Sequence, residues 1–400
     1  MRKRVLFICE AVTLAHVARP LVLANELRYT YDVSIAADPS VHHLIQREQW
    51  QPLKVTSLSQ KEFMSRLKWG KSVFDTKGLC MSVEEDLRLI NEICPDVVIG
   101  DFRLSLSISS RLSGVPYITL GNAYWLPQQL DLIPVPEMLL THLCGMRISQ
   151  WVFDRIAPRV MRSHANVFNS VCKRFGVSSV SNDLGGIYLE GDVTALVDLP
   201  RCYPCVSESH KYQFIGPCVW NPPVAKTVEA AEKCVNTTEV FVSLGSSGQL
   251  NVLEPVVLGL LQCDCRIFLA TAGRPLPQKF NKESNIIVAE FWPGLETAKR
   301  SSVIVCNGGS PMTQLAMVCG KPVVGIPSNL DQFLNMAIVE KNGLGIMLRP
   351  EGISVDKVVT AMNSIQKNPK YKQLAVEYSK ESEAYMKKQR IHDVVKKVVG

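Results

Sequence analysis

The sequence predicts an α/β protein built from two Rossmann-like, doubly wound domains, and three observations carry that expectation. Short β-branched apolar runs alternate with segments of helical period along most of the 400 residues, the rhythm of parallel strands joined by crossover helices. Between 303 and 326 the order is apolar run, glycine turn, helical segment, apolar run, which is one βαβ unit. A polar, proline-bearing stretch, with Gly216-Pro217 and Pro222-Pro223, then reads as a linker over 218–237.

Composition sets the outer limits. With 46% hydrophobic and 20% charged residues, the chain has room for two cores of ordinary size. A formal net charge of +7 suits an anionic ligand, such as a nucleotide, or an anionic membrane surface. No dense Lys/Arg run with interleaved aromatics is present, so nucleic acid is not an expected partner. The thirteen cysteines include the close pairs Cys202/Cys205 and Cys263/Cys265, which lack a matching His/Cys set at zinc spacing. Reduced, mostly buried thiols in the cytoplasm are expected, with no bound metal. Arg2-Lys3-Arg4 before the apolar run 5–9 resembles a signal peptide, but Glu10 and His16 interrupt it. No run approaches the roughly 18 apolar residues of a membrane span.

In order, 5–9 reads as a strand, 17–27 as a helix, 33–36 as a strand and 42–49 as a helix. Helix 83–93, strand 97–99, helix 104–112 and strand 117–120 follow. The apolar stretches 130–143 and 151–156 read as core, and 212–215 as a strand. In the second half, 240–244, 267–270, 286–288, 303–305 and 323–326 are strands. Segment 355–365 is a helix, and 371–398 is a charged terminal helix.

Two places on this frame carry chemistry. His16 lies just after the first strand, and Asp101 just after strand 97–99 of the same sheet. One reading of His16 is a helix-terminal or core histidine. The other is a general base, with a carboxylate on one ring nitrogen fixing its tautomer. The second place is Asn307-Gly308-Gly309-Ser310, where paired glycines and a helix amino end make an anion site fit for a diphosphate. Ser310 suits a cap and Pro311 the first helical position. Asp331 and Gln332 follow the next strand at the same sheet edge and can hydrogen-bond hydroxyls of a group attached to the diphosphate.

The stretch VIVCNGGSPMTQLAMVCGKPVVGIPSNLDQFLN resembles the donor-site signature of the UDP-glycosyltransferase family, including the bacterial natural-product and macrolide-type enzymes. AHVARPLVLANEL is similar to that family's catalytic-histidine segment, with Pro20 one place later than usual, and DFRLSLSISSRLSGVPYI to its aspartate segment. Gly245-Ser246 resembles its Gly-Ser/Thr loop, and Phe291-Trp292-Pro293-Gly294 its Trp-x-Pro-Gln tetrad. The resemblance implies the GT-B fold, two domains facing a cleft: an acceptor domain over 1–217, a donor domain over 238–375, and a last helix, about 376–400, packing back on the first. It implies catalytic roles for His16 and Asp101. Donor contacts are implied for Gly245, Ser246, Phe291, Trp292, Asn307, Gly308, Gly309, Ser310, Thr313, Asp331 and Gln332. Asn307 stands where most members have histidine, Leu315 where they have a ribose-binding glutamate, and Gly294 where they have glutamine.

The expected function is inverting, metal-independent transfer of a sugar from a nucleoside diphosphate, UDP or TDP, to a hydroxyl of a small molecule or lipid. No cofactor is expected beyond that co-substrate, and peripheral membrane contact and oligomeric state stay open. The alternatives are a nucleotide-sugar epimerase and an inactive nucleotide-binding relative.

Overall fold

The computed structural model describes residues 2–221, 237–245, 250–276, 280 and 283–400. The chain forms two compact units. The first comprises Met1–Ile133, Val152–Trp220 and Tyr385–Gly400; the second comprises Pro134–Trp151 and Asn221–Ala384.

The first unit holds a parallel sheet of seven strands: β1 Arg4–Cys9, β2 Asp32–Ala37, β3 Leu53–Lys54, β4 Val97–Asp101, β5 Tyr117–Gly121, β6 Val193–Leu196 and β7 Tyr212–Phe214, in the order β3-β2-β1-β4-β5-β6-β7. Its helices begin with α1 Ala15–Leu27, α2 His42–Arg47, α3 Gln60–Lys68, α4 Thr76–Ile93 and α5 Leu106–Ser113. Then come the long α6 Leu139–Arg174, which runs on from the second unit, and α7 Leu184–Tyr188. Side chains of β1 alternate between two cores, as a strand covered on both faces requires. Val5, Phe7 and Cys9 pack with α1, while Leu6 and Ile8 pack with Leu89 and Ile90 of α4 and Leu106 of α5.

The second unit repeats the plan with six parallel strands: β8 Glu239–Ser243, β9 Arg266–Ala270, β10 Ile286–Ala289, β11 Val303–Cys306, β12 Val323–Gly325 and β13 Gly345–Met347, ordered β10-β9-β8-β11-β12-β13. Its helices are α8 Leu253–Gln262, α9 Gly294–Arg300, α10 Ser310–Val318, α11 Leu330–Lys341, α12 Val355–Lys367 and α13 Pro369–Met386. Finally α14, Arg390–Val399, belongs to the first unit and buries Ile391, Val394 and Val395 in the core around β1 and β4.

The strand order reverses between β1 and β4 in the first sheet and between β8 and β11 in the second. Such reversals open a crevice at the carboxyl ends of the two strands, where open α/β sheets bind ligands. Both candidate sites read from the sequence stand at these two reversals.

Three details differ from the sequence reading. The single terminal helix is two, because Gln389 takes a left-handed backbone (φ 46°) between α13 and α14. Helix α13 stays with the second unit, where Ser379 Oγ donates to the Val318 carbonyl at 2.6 Å, so the returning segment starts at Tyr385. Residues 134–151 also join the second unit, tied there by Arg349 Nη1, which donates to the Val135 carbonyl at 2.9 Å. Most of the 218–237 linker lies outside the described residues. No helix among those described is long and apolar enough to cross a membrane.

Candidate active site

At the first reversal β1 and β4 run side by side, with Cys9 opposite Asp101. Asp101 ends β4, and the chain leaves β1 through a short loop to reach His16 in the first turn of α1. His16 Nδ1 lies 2.7 Å from Asp101 Oδ1. Asp101 is buried and His16 keeps 16% of its side-chain surface. Arg19 Nη2 also stands 3.0 Å from Nδ1; in the tautomer whose Nδ1–H donates to the carboxylate, Nε2 keeps its lone pair.

Phe102 adopts a left-handed backbone (φ 59°), an uncommon conformation for an aromatic residue. It turns the ring under His16, stacked at 4.8 Å and 15°. Tyr188 meets Phe102 edge-on at 4.8 Å, and Trp125 meets Tyr188 at 4.9 Å, so the histidine sits on an aromatic floor.

The sequence reading missed the residue that completes this group. Arg19, one turn after His16, is buried and clamps Asp101 with Nε 2.7 Å from Oδ2 and Nη2 2.9 Å from Oδ1. Its Nη1 donates to Asn122 Oδ1 at 2.7 Å, and Asn122 Nδ2 donates to Asp198 Oδ1 at 3.2 Å. Burial pushes the Asp198 carboxyl up to about 6, while the Ala123 N–H, Asn122 and the Arg19 charge pull it back. The i, i+3 spacing from His16 to Arg19 was the available signal: both project from one face of α1.

Behind the Asp101 loop a second buried group fixes its path. Arg103 donates to Glu10 Oε2 at 3.0 Å, to Asp86 Oδ1 at 3.1 Å and to the Thr56 carbonyl at 2.6 Å. Burial raises the Glu10 and Asp86 carboxyls above their usual range, against the opposing pull of Arg103. Asp101 is thus held between two arginine clamps, one at its own carboxylate and one two residues on.

At the second reversal β8 lies beside β11, and β11 beside β12. Asn307, Gly308 and Gly309 link β11 to α10. Gly308 has φ 73°, and a Cβ there would stand 2.5 Å from Met336 Cγ. Asn307 Oδ1 accepts the Gly309 N–H at 3.1 Å, an Asx turn that shapes the loop. Gly309, not Ser310, is the residue before the helix; Ser310 and Pro311 open α10. α10 has no acidic side chain in its first turn, so none offsets the positive end of its dipole there. The Cys306 thiol is pushed up to about 12 by burial and stays neutral at the start of that turn.

Asp331 lies in the first turn of α11, half-buried, and Gln332 is buried behind it. Gln332 Oε1 accepts the Ser328 N–H at 2.8 Å, which closes the loop after β12. Thr313 is also buried, its hydroxyl donating to the Ser310 carbonyl at 3.1 Å and accepting from Asn335 Nδ2 at 2.8 Å. These bonds make Thr313 and the Gln332 oxygen supports of the turns. Phe291 is exposed, whereas Trp292 anchors inward, its Nε1 donating to the Leu269 carbonyl at 3.1 Å. Leu315 is buried and faces Gly294: a Cβ on Gly294 would lie 3.4 Å from Leu315 Cδ2. Two of the three departures from the family pattern, Gly294 and Leu315, are therefore neighbours.

Gly245 lies two residues after β8 with φ 60°, and Ser246 lies outside the described residues. Arg274, which the sequence reading did not single out, donates from Nη2 to the Gly245 carbonyl at 2.5 Å. It brings a cation to the same carboxyl edge. Among the described residues no group of His, Cys, Asp and Glu is arranged to hold a metal ion.

Comparison with known proteins shows which class the chain resembles. The family described as "Erythromycin biosynthesis protein CIII-like, C-terminal domain" matches residues 256–399. A "PGL/p-HBAD biosynthesis glycosyltransferase" of Mycobacterium tuberculosis is 36% identical over 375 residues, which is 94% of this chain and 87% of the relative. A "PGL/p-HBAD biosynthesis rhamnosyltransferase" of Mycobacterium bovis is also 36% identical, over 94% of this chain and 83% of its own length. An "Inactive PGL/p-HBAD biosynthesis glycosyltransferase" of the same species is 34% identical over 65% of this chain and 71% of its own. Among solved structures, the glycosyltransferase of kitacinnamycin superposes with a TM-score of 0.77 at 18% identity, covering 100% of both chains. The spinosyn rhamnosyltransferase SpnG, complexed with thymidine diphosphate, reaches 0.66 at 16% identity over 95% of this chain and 96% of its own.

Proposed function

We infer the reaction from the premise that this chain belongs to the natural-product-type GT-B glycosyltransferases and is an enzyme of that class, with a nucleotide sugar as donor. The proposed step is an inverting transfer. His16 Nε2 takes the proton of an acceptor hydroxyl, and the oxygen attacks the anomeric carbon opposite the bond to the diphosphate. That bond breaks, its electron pair leaves on the diphosphate oxygen, and the new glycosidic bond has inverted configuration. Asp101 orients the imidazole and balances the charge it gains; Arg19 holds Asp101 in place. In the second unit the amino end of α10, the Gly308/Gly309 turn and Arg274 receive the charge growing on the leaving diphosphate. Asp331 and Gln332 are assigned to the sugar, and Phe291 to the nucleobase.

The observation that carries this reading is the 2.7 Å contact of His16 with Asp101. The floor of Phe102, Tyr188 and Trp125 supports an acceptor with an aromatic or apolar body, such as a phenol. Thymidine diphosphate bound to one structural neighbour, and the word rhamnosyltransferase in two of the names, make TDP-rhamnose the first donor to try, beside UDP-glucose. The test is to incubate the enzyme with each donor and a phenol, and to read the product's anomeric configuration by NMR. A glycoside inverted relative to the donor supports the step. A retained configuration contradicts it, and donor binding without any product on a broad acceptor panel moves the chain to the inactive reading.

A further inference from the structure

Phe102 stands in a backbone conformation that its own chemistry does not favour. Its φ of 59° is left-handed, where a bulky side chain is strained and a glycine or asparagine is at ease. The residues on either side hold it there. Asp101 is fixed by Arg19, and Arg103 by Glu10, Asp86 and the Thr56 carbonyl, so the chain at 102 cannot relax without disturbing one of two buried clamps. What the strain achieves is the placement of a ring. Phe102 lies face to face with the imidazole of His16, centroids 4.8 Å and planes 15° apart. Tyr188 meets it edge-on at 4.8 Å and Phe63 at 6.0 Å, and these neighbouring rings keep it in that plane.

The charges around His16 give that ring a role. Nδ1 meets Asp101 Oδ1 at 2.7 Å, but Arg19 Nη2 also stands 3.0 Å from it. Arg19 holds both oxygens of Asp101, with Nε 2.7 Å from Oδ2 and Nη2 2.9 Å from Oδ1, so the carboxylate is already matched by a guanidinium. An imidazole that takes a proton at Nε2 becomes a second cation on the same carboxylate, which then balances it only in part. Asp198 is linked through Asn122 to Arg19 rather than to His16, and Glu10 and Asp86 are engaged by Arg103. Negative potential from another direction is what the site needs. The face of an aromatic ring carries it, and a cation within about 6 Å of the centroid is attracted there. The attraction is weak for the neutral imidazole and grows as the proton moves, so it favours the transition state over the ground state.

We propose that Phe102 is a positioning residue of the transfer step: its ring fixes the plane of the His16 imidazole, and its negative face stabilises the imidazolium formed when Nε2 takes the acceptor proton. This inference rests on the assignment of His16 as the base. The test replaces Phe102 by mono-, di- and trifluorinated phenylalanine, which keep the ring but drain its face of negative potential, and by leucine, which removes the ring. The readout is nucleoside diphosphate released from the donor, with a phenol or with water as acceptor. The kcat is expected to fall stepwise with each fluorine, to roughly 3- to 30-fold below the parent in the trifluorinated and Phe102→Leu forms. The KM for the donor and the melting temperature of the fluorinated proteins should stay at the parent values, which a merely structural role of the ring would not separate from kcat. A kcat that stays level across the fluorine series overturns the proposal. So does a series that falls just as steeply in a His16→Ala background, since the ring would then act on something other than the imidazole. Near-normal turnover of His16→Ala with Phe102 intact overturns the base assignment beneath the proposal, and the two failures are thereby told apart.

Discussion

Asp101 takes three contacts on two oxygens, from Arg19 Nε, Arg19 Nη2 and His16 Nδ1, and this sharing defines the chemistry of the first unit at the scale of single residues. A buried carboxylate held by a guanidinium cannot rotate away from the imidazole, so the orientation of the His16 ring is fixed in advance, as the proposed role of a base requires. The network ends at Asp198, and there the fold leaves a trace in its pH dependence. A carboxyl raised to about 6 contributes stability that is complete below its unfolded value and is lost as pH rises through 6. The amide of an Asp198→Asn variant has no proton to lose over that range. The stability of the parent minus that of Asp198→Asn should therefore fall by up to about 3 kcal/mol between pH 4 and pH 7, read from paired denaturant melts. A difference that stays constant with pH would show that Asp198 is not held out of water as described. The proximity of His16 and Asp101 was legible in the sequence because one lies a short loop after β1 and the other ends β4, and the carboxyl ends of strands in one sheet converge. Arg19 was not, because an arginine in a helix reads as a solvated charge until its partner is placed under it.

At the scale of elements, the turn between β11 and α10 is tightly constrained. Gly308 has a positive φ, a buried Met336 against its missing side chain, and a carbonyl that accepts from Asn335 Nδ2 at 2.7 Å. Gly308→Ala must strain the backbone or displace Met336. Its expected cost is roughly 1–3 kcal/mol in thermal or denaturant unfolding, together with weaker binding of nucleoside diphosphate. An alanine variant that melts and binds like the parent would contradict the close approach. The glycine pair and the strands on either side were legible from β-branched runs and turn residues. The cap was misplaced by one residue, because a serine is a strong capping signal and Asn307 takes the Gly309 N–H from outside the helix. The break at Gln389 gave no signal at all: the left-handed residue is neither glycine nor asparagine.

At the scale of the whole molecule, two copies of one architecture each present a strand-order reversal, one beside His16 and Asp101 and one beside the turn from Asn307 to Gly309. The alternation of strand and helix made this legible, since parallel sheets buried on both faces write near-continuous apolar strands. The exact partition was less so. Residues 134–151 join the second unit through Arg349, and only the last sixteen residues return to the first. Both depend on contacts between segments far apart in sequence, which periodicity does not encode. The measurement that tests the account most directly is the turnover of His16→Ala, with nucleotide affinity measured on the same preparation. Loss of a positioned general base should lower kcat/KM by roughly 10²–10⁴-fold. The dissociation constant for the nucleoside diphosphate should be unchanged, because that ligand is assigned to the second unit. Near-normal turnover of the alanine variant would contradict the assignment of His16 and, with it, the proposed mechanism.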